Sequence, residues 1–458
     1  EDKRIFSEAQ LAQGWRLACK AVTREAAEIV VPVQEQQGFS ALAAEAADEG
    51  ALSLAADHDY GLAVDIGTTT LAAALVDCTD GKILATATAV NSQRSFGADV
   101  VSRIGAACHG KGKALQKAVR RDLTRLMKQL LKDHPGTAAR CRQMAIAANT
   151  TMLHLLMGWP CDGLGDWPFH PVSLGGKTYR AQEVLGPQSP LADATVTLLP
   201  GMSTYVGADI TAGIWQCGLA SSDDVSLFVD LGTNGEMVLG NKDQRFIASA
   251  PAGPALEGGK LTWGTGSVPG AICGVRIERG RAKVRTIDHT VPVGICGTGI
   301  LEAMAGLVRE GLVDETGKLV EPYFHKGFPL ASTLDYQRIT LSQQDIREIQ
   351  MAKSAIRAGI ESLIERSGIS RQRVHQVFLA GGFGYYLDPQ KAAVIGLLPA
   401  DLAERTTAVG NTSLKGAIGL LTGAVTLEEL QAIAAGAEEI VLGNDEAFQR
   451  LYIDYLNF

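Results

Sequence analysis

The stretch VDIGTTT at residues 64–70 returns, lightly altered, as VDLGTNGE at residues 229–236. Each copy ends an apolar run on an aspartate and then turns through Gly-Thr. A strand ending this way offers a phosphate three things: a glycine that permits close backbone approach, N–H and hydroxyl donors, and a carboxylate for Mg²⁺ or its waters. One copy alone is an ordinary tight turn. Two copies facing each other would grip a polyphosphate from both sides. The candidates are Gly67, Thr68, Thr69 and Thr70 in the first jaw, and Gly232, Thr233, Asn234 and Gly235 in the second. Asp65 and Asp230 are the Mg²⁺ and water candidates, and Glu236 gives the second jaw an extra acid, so the clamp is expected to be asymmetric.

Working outward, GLAVDI, TLAAALVD and ILATATAV read as three strands joined by turns at Gly67 and TDGK, an antiparallel meander. Leu115, Val119, Leu123, Leu126 and Leu130 then fall at spacings of three and four, which predicts an amphipathic helix. QMAIAANTTMLHLLMG reads as a buried strand and a helix start. Residues 159–200 are rich in Pro and Gly and read as an insertion, and GADITAGIWQCGL as a helix. The strand–turn–strand grammar restarts at residue 225. Helices follow at GILEAMAGLVREGLV and after Ser342, which stands in capping-box spacing with Asp345. VHQVFLAGGFG is a strand running into a glycine cluster, and NTSLKGAIGLLTGA a small-residue helix. Two α/β halves with related openings point to an internal duplication. The expected domains are 1–57, a tail and linker; 58–220, carrying the insertion; and 221–458.

Composition narrows the class. The 458 residues carry 42 Lys+Arg against 50 Asp+Glu, a net charge of −8 that disfavours a nucleic-acid partner. No apolar run approaches the roughly 20 residues needed to span a bilayer, and the start lacks a signal-peptide pattern, so a cytoplasmic protein is expected. The eight cysteines are scattered without a C-x-x-C pair and read mostly as buried thiols. PVSLGGKT at 171–178 misses a Walker A loop because Pro171 stands where the first glycine must be. GTGSVPG at 264–270 and GTGILEA at 297–303 do not complete a dinucleotide fingerprint after a strand.

The order of both hairpins, the strand and helix at 145–158, AGGFG at 380–384 and NTSLKGAIG at 411–419 resembles the superfamily of acetate and sugar kinases, heat-shock ATPases and actin. That resemblance implies an α/β fold: a duplicated RNase H-like, actin-like ATPase of two domains with a nucleotide cleft between the halves. It also implies that Asp209, on the helix before the second hairpin, lies near the Mg²⁺ waters and joins Asp65, Asp230 and Glu236 as a catalytic candidate. Gln350, Lys353, Gly381, Gly382 and Gly384 would then face the adenosine, although a helical lysine such as Lys353 is more often a solvated face residue. Glu257, in GPALEGG, reads either as a turn carboxylate or as a functional acid.

NTTMLHLLMG, LPGMSTYVGADITAGI, DLGTNGEMVLG, SAPAGPALEGG and IREIQMAKSAIRAGI narrow this further, being similar to the ATP-dependent reductive activators of corrinoid proteins. These activators return the oxidised Co(II) corrinoid of a methyltransferase system to Co(I). The resemblance implies ATP and Mg²⁺ as cofactors, and as partners a corrinoid protein, an electron donor (ferredoxin-like or a reductase) and a second copy in a homodimer. Members carry an N-terminal [2Fe–2S] ferredoxin domain. LAQGWRLACK at 11–20 resembles the end of such a domain, with Cys19 matching the last cluster ligand. Its three partners in C-x₄-C-x₂-C spacing are absent from the sequence, so a cluster is expected only in a longer protein. Two enzyme classes share the superfamily resemblance: small-molecule kinases and the activators of 2-hydroxyacyl-CoA dehydratases. A nucleotide-binding module without turnover is a further alternative.

Overall fold

The computed structural model describes residues 58–381, 387–443 and 445–458. The expected tail and linker, with Cys19, and the glycines Gly382 and Gly384 lie outside the described residues.

The first half opens with the meander β1 (Tyr60–Ile66), β2 (Thr70–Asp77) and β3 (Ile83–Val90). Gly67 N–H donates to the Thr70 carbonyl at 3.0 Å, and a Cβ at Gly67 would sit 2.8 Å from that same oxygen, so only glycine closes this turn. Helix α1 (Val100–Ala106) is followed by α2 (Gly112–Asp133), whose five predicted apolar positions are all buried. Strand β4 (Cys141–Ala148) then runs parallel to β1 and leads into α3 (Thr150–Met157), capped by Asn149. Residues 159–200 correct the sequence reading. They are not wholly an insertion, because β5 (Lys177–Arg180) and β6 (Thr195–Leu198) complete the sheet, giving the order β3-β2-β1-β4-β6-β5. Strands of four residues among Pro and Gly carry too little alternation to be read. Helix α4 (Ala208–Gln216) ends the half.

The second half repeats the plan. Strands β7 (Val225–Leu231), β8 (Gly235–Gly240) and β9 (Arg245–Ala250) form the second meander. A subdomain follows, built from β10 (Ala271–Glu278), β11 (Arg281–Thr286), β12 (Gly294–Ile295), α5 (Gly297–Arg309) and the hairpin of β13 (Phe328–Ser332) and β14 (Arg338–Leu341). Helix α6 (Gln343–Ser367) starts at the Ser342/Asp345 capping box. Next come β15 (Val374–Ala380), β16 (Thr406–Gly410), α7 (Thr412–Leu421), α8 (Leu427–Ala435), β17 (Ala437–Glu439) and α9 (Glu446–Asp454). The sheet order is β16-β15-β7-β8-β9-β17, with β15 parallel to β7 as β4 is to β1. Without its outer edge strand, each sheet is the same three-strand meander extended by two parallel strands. The repeated phrase therefore marks a repeated fold.

Strand alternation divides the residues among three apolar clusters. Leu62, Val64 and Ile66 join the α2 side of the first half, and Leu227, Val229 and Leu231 join the core around α6. The opposite faces, with Ala63, Ala72, Ala74 and Ala145 on one sheet and Phe228 and Val238 on the other, meet in a shared layer formed by α4 and α7. Period two puts Asp65 on the Ala63 face and Asp230 on the Phe228 face. Both acids therefore point into the space between the halves. The helices approach closely because α7 presents glycine: a Cβ at Gly416 would sit 2.3 Å from Ala212 Cβ, and one at Gly419 2.3 Å from the Trp215 ring. Overpacking of this kind costs about 1–3 kcal/mol. Gly416→Val should lower stability by that amount in a denaturant titration. Gly105→Ala, in α1 with nothing within 4 Å of its added Cβ, should be neutral or stabilising.

Candidate functional site

Both hairpins reach one cleft. Asp65, Gly67, Thr68, Thr69 and Thr70 line it from the first half, and Asp230, Gly232, Thr233, Asn234 and Glu236 from the second, together with Asp209 and Gly381. Gly235 lies behind the lining, where a Cβ would strike Ile356 Cδ1. Gly381, at φ 106°, brings β15 so near the second hairpin that a Cβ would lie 2.4 Å from the Leu231 carbonyl.

Asp65 is fixed by the far end of the chain. Asn411 Nδ2 donates to its Oδ2 at 2.9 Å and Ser413 Oγ to its Oδ1 at 2.7 Å. Asn411 also caps α7, its Oδ1 accepting from Leu414 N–H at 2.8 Å. Asn149, the cap of α3, lines the cleft as well, and Asp209 sits in the first turn of α4. Three helix N-termini thus converge here, and their positive dipole ends favour anions. Sequence reasoning did not assign Asn149, Asn411 or Ser413. The available signal was the Asn-Thr pair that opens both α3 and α7, with Asn in the N-cap position each time.

The remaining acids are less well satisfied. Burial pushes the Asp209 carboxyl up to about 7, with Asp65 adding to the shift. Burial raises Asp230 well above the ordinary carboxylate range, and Asp209, Asp65 and Glu257 raise it further. Glu236 is raised in the same way by burial, Asp209 and Asp230. The Asp65 carboxyl is also raised by burial, opposed by its Ser413 and Asn411 hydrogen bonds. Like charges held this close call for a cation, and a hard divalent ion with oxygen ligands suits a carboxylate set of this kind. No three of the cleft acids bring ligand atoms within 4.8 Å of one another, so Asp209, Asp230 and Glu236, with Asp65 beside them, would suit an ion held through its waters rather than a direct carboxylate cage.

Glu257 is part of the site. Its Oε2 accepts from Thr233 Oγ1 at 2.6 Å and from Thr69 Oγ1 at 3.2 Å, one hydroxyl from each jaw. Gln350 and Lys353 are not in the cleft, which corrects the adenosine assignment. Lys353 is buried, donates to the Asn457 carbonyl and sits 4.8 Å over the Phe458 ring. Gln350 donates to the Leu456 carbonyl at 2.7 Å. The chain's last residues cover both side chains, so Lys353 is neither a cleft residue nor a solvated one. Its pKa is pushed down to about 7 by burial and by Arg357.

The fold and the acid-lined cleft between duplicated halves are those of the superfamily that holds acetate and sugar kinases, heat-shock ATPases and actin. A family model described as the C-terminal ASKHA domain of RACo matches residues 224–458, and one described as the RACo middle region matches residues 60–222. The chain belongs to this family, the reductive activators of corrinoid proteins. It is 33% identical to the corrinoid activation enzyme RamQ of Eubacterium limosum, over 86% of this chain and 69% of that protein. It is 25% identical to the [Co(II) methylated amine-specific corrinoid protein] reductase of Methanosarcina barkeri, over 87% of this chain and 77% of that one. The solved structure of a reductive activator for a corrinoid, iron-sulfur protein superposes with a TM-score of 0.83 at 34% identity, covering 88% of this chain and 67% of that one. No helix among the described residues is long and apolar enough to cross a membrane.

The crowded acids make a pH-dependent prediction. Asp209 has a folded pKa above its unfolded value, so its protonated form contributes stability that is complete below about pH 4 and lost as pH rises through about 7. Asp209→Asn should be little different from wild type near pH 4, gain an advantage between pH 4 and 7, and level off above that. The plateau should be roughly 1–3 kcal/mol for a half-buried group, read from denaturation midpoints across pH.

Proposed function

We propose that this chain binds ATP with Mg²⁺ in the cleft and uses ATP turnover to drive the reduction of a corrinoid protein from Co(II) to Co(I). The observation that carries the reading is the clamp: hydroxyls from two duplicated hairpins, Thr69 and Thr233, converge on one oxygen amid four further carboxylates. It occurs in a chain whose relatives are named for corrinoid activation and Co(II) corrinoid reduction.

In this reading Thr68 to Thr70, Thr233 and Asn234 hold the phosphates by hydroxyl and backbone donors, helped by the N-termini of α3, α4 and α7. Asp209, Asp230 and Glu236 would hold Mg²⁺ or its waters, with Asp65 beside them. The ion neutralises phosphate charge when bound. Asn411 and Ser413 keep Asp65 from swinging toward the phosphates. Phosphoryl transfer to water is mainly positioning and electrostatics, which this rigid, partly buried set supplies.

Co(I) lies at very low potential, and each 59 mV or so of shortfall for one electron is a tenfold loss at equilibrium. ATP can help through differential binding: the nucleotide state selects a corrinoid protein conformation that accepts the electron more readily, and hydrolysis resets the complex. One electron enters from a donor, ferredoxin-like or a reductase, and cobalt goes from Co(II) to Co(I). A [2Fe–2S] domain ahead of the ATPase part, pairing of two copies, and a cytoplasmic setting belong to the same proposal.

The test mixes the protein, a low-potential chemical reductant and a Co(II) corrinoid protein and follows Co(I) absorbance with and without ATP. Co(I) should accumulate only with ATP. Asp230→Asn should lower ATP turnover by about 10²–10³. Equal Co(I) formation without ATP defeats the proposal.

A further inference from the structure

Glu257 is held by both halves at once. It ends the short turn Pro254–Glu257, whose Ala255 and Leu256 are buried in the core around α6. Gly258 closes that turn at φ 83°, where a Cβ would meet the Thr265 carbonyl at 2.5 Å, so the backbone behind the carboxylate is fixed. One oxygen, Oε2, accepts from Thr233 Oγ1 at 2.6 Å and from Thr69 Oγ1 at 3.2 Å. The other, Oε1, accepts no hydrogen bond from any described residue and is not sealed off by protein, on a side chain that lines the cleft.

A threonine hydroxyl has one proton to donate. Those of Thr69 and Thr233 go to Glu257, which leaves the phosphate to other donors. The backbone N–H groups of Thr68, Thr69, Thr233 and Asn234 donate to no acceptor among the described residues, so each jaw offers two adjacent free amides in residues that line the cleft. A phosphate seated on both pairs lies beside the two hydroxyls, and therefore beside Glu257. The other acids are committed elsewhere. Asp65 has both oxygens engaged by Asn411 and Ser413. Asp209, Asp230 and Glu236 crowd one another and suit the waters of a cation. Glu257 keeps one oxygen anchored and one free. Burial raises its carboxyl above the ordinary glutamate value, against the pull of the two hydroxyls, which makes the carboxylate a better base.

We propose that Glu257 is the catalytic base of ATP hydrolysis: Oε2, anchored by Thr69 and Thr233, aims Oε1 at the attacking water. The inference rests on the nucleotide reading above and deepens it. The water oxygen bonds to the terminal phosphorus as the bond from that phosphorus to the bridging oxygen breaks. The bridging oxygen leaves with ADP, and the water proton passes to Oε1. ADP and inorganic phosphate depart, and Glu257 returns the proton to solvent. Because Oε2 takes one hydroxyl from each half, separating the jaws leaves the base without its aim, and hydrolysis is tied to closure of the cleft.

Glu257→Gln separates a base from a strut, since the amide oxygen still accepts from both hydroxyls and a role confined to bridging the jaws survives the change. With the Co(II) corrinoid protein present, phosphate release from ATP should fall about 10²–10⁴-fold, while calorimetry with AMP-PNP and Mg²⁺ shows unchanged affinity. Glu257→Ala gives a second reading: added formate, a small carboxylate, should restore part of the turnover, and neutral formamide should restore none. Unchanged phosphate release in Glu257→Gln, a loss accompanied by an equal loss of AMP-PNP affinity, or formate no better than formamide overturns the base and leaves the nucleotide site standing. A wild type that binds no AMP-PNP, or binds it and turns over no ATP, overturns the nucleotide reading itself.

Discussion

The close contact of α4 and α7 is the constraint on which the rest of the site depends. Gly416 against Ala212, and Gly419 against Trp215, let two helices lie between two sheets with little more than backbone separating them. Alanine on the facing strands, at 63, 72, 74 and 145, thins the layer from the other side. The ends of β1 and β7 are thereby brought near enough for hydroxyls from both hairpins to meet on a single oxygen of Glu257. Larger side chains in that layer would fill it equally well as a core and move the two jaws apart.

This geometry has an electrostatic consequence. Strand alternation that sends Ala63 and Phe228 into the shared layer also sends Asp65 and Asp230 toward it, and Asp209 and Glu236 join them. The carboxyl groups raise one another, so the cleft works against the stability of its own charged form. Helix N-termini and the Asn411 and Ser413 donors offset part of that repulsion. The remainder can be relieved by a cation or by protonation. Stability given up in this way is the usual mark of a site arranged for a ligand.

Much of this was legible in the residues. The two D-x-G-T phrases, the heptad-like spacing of α2 and the Ser342/Asp345 cap are local signals, and each reads directly from a few neighbouring positions. Strands β5 and β6 were not legible, because four residues carry hardly any period and their neighbours are Pro and Gly. Gln350 and Lys353 were misplaced for a different reason: a helix position tells which face a side chain occupies, not what covers that face. Here the last residues of the chain do, through the carbonyls of Leu456 and Asn457 and the ring of Phe458.

By itself the sequence determined the duplication, the jaws and the family, because these depend on short-range pattern and on the order of motifs along the chain. Tertiary structure decided which side chains from distant segments share one oxygen or one carboxylate. Asn411 and Ser413 reach Asp65 across more than three hundred residues of chain, and Glu257 links Thr69 with Thr233. Such relations are properties of packing, in which the partner of a group is set by how two sheets and two helices close on each other. No local spacing encodes them.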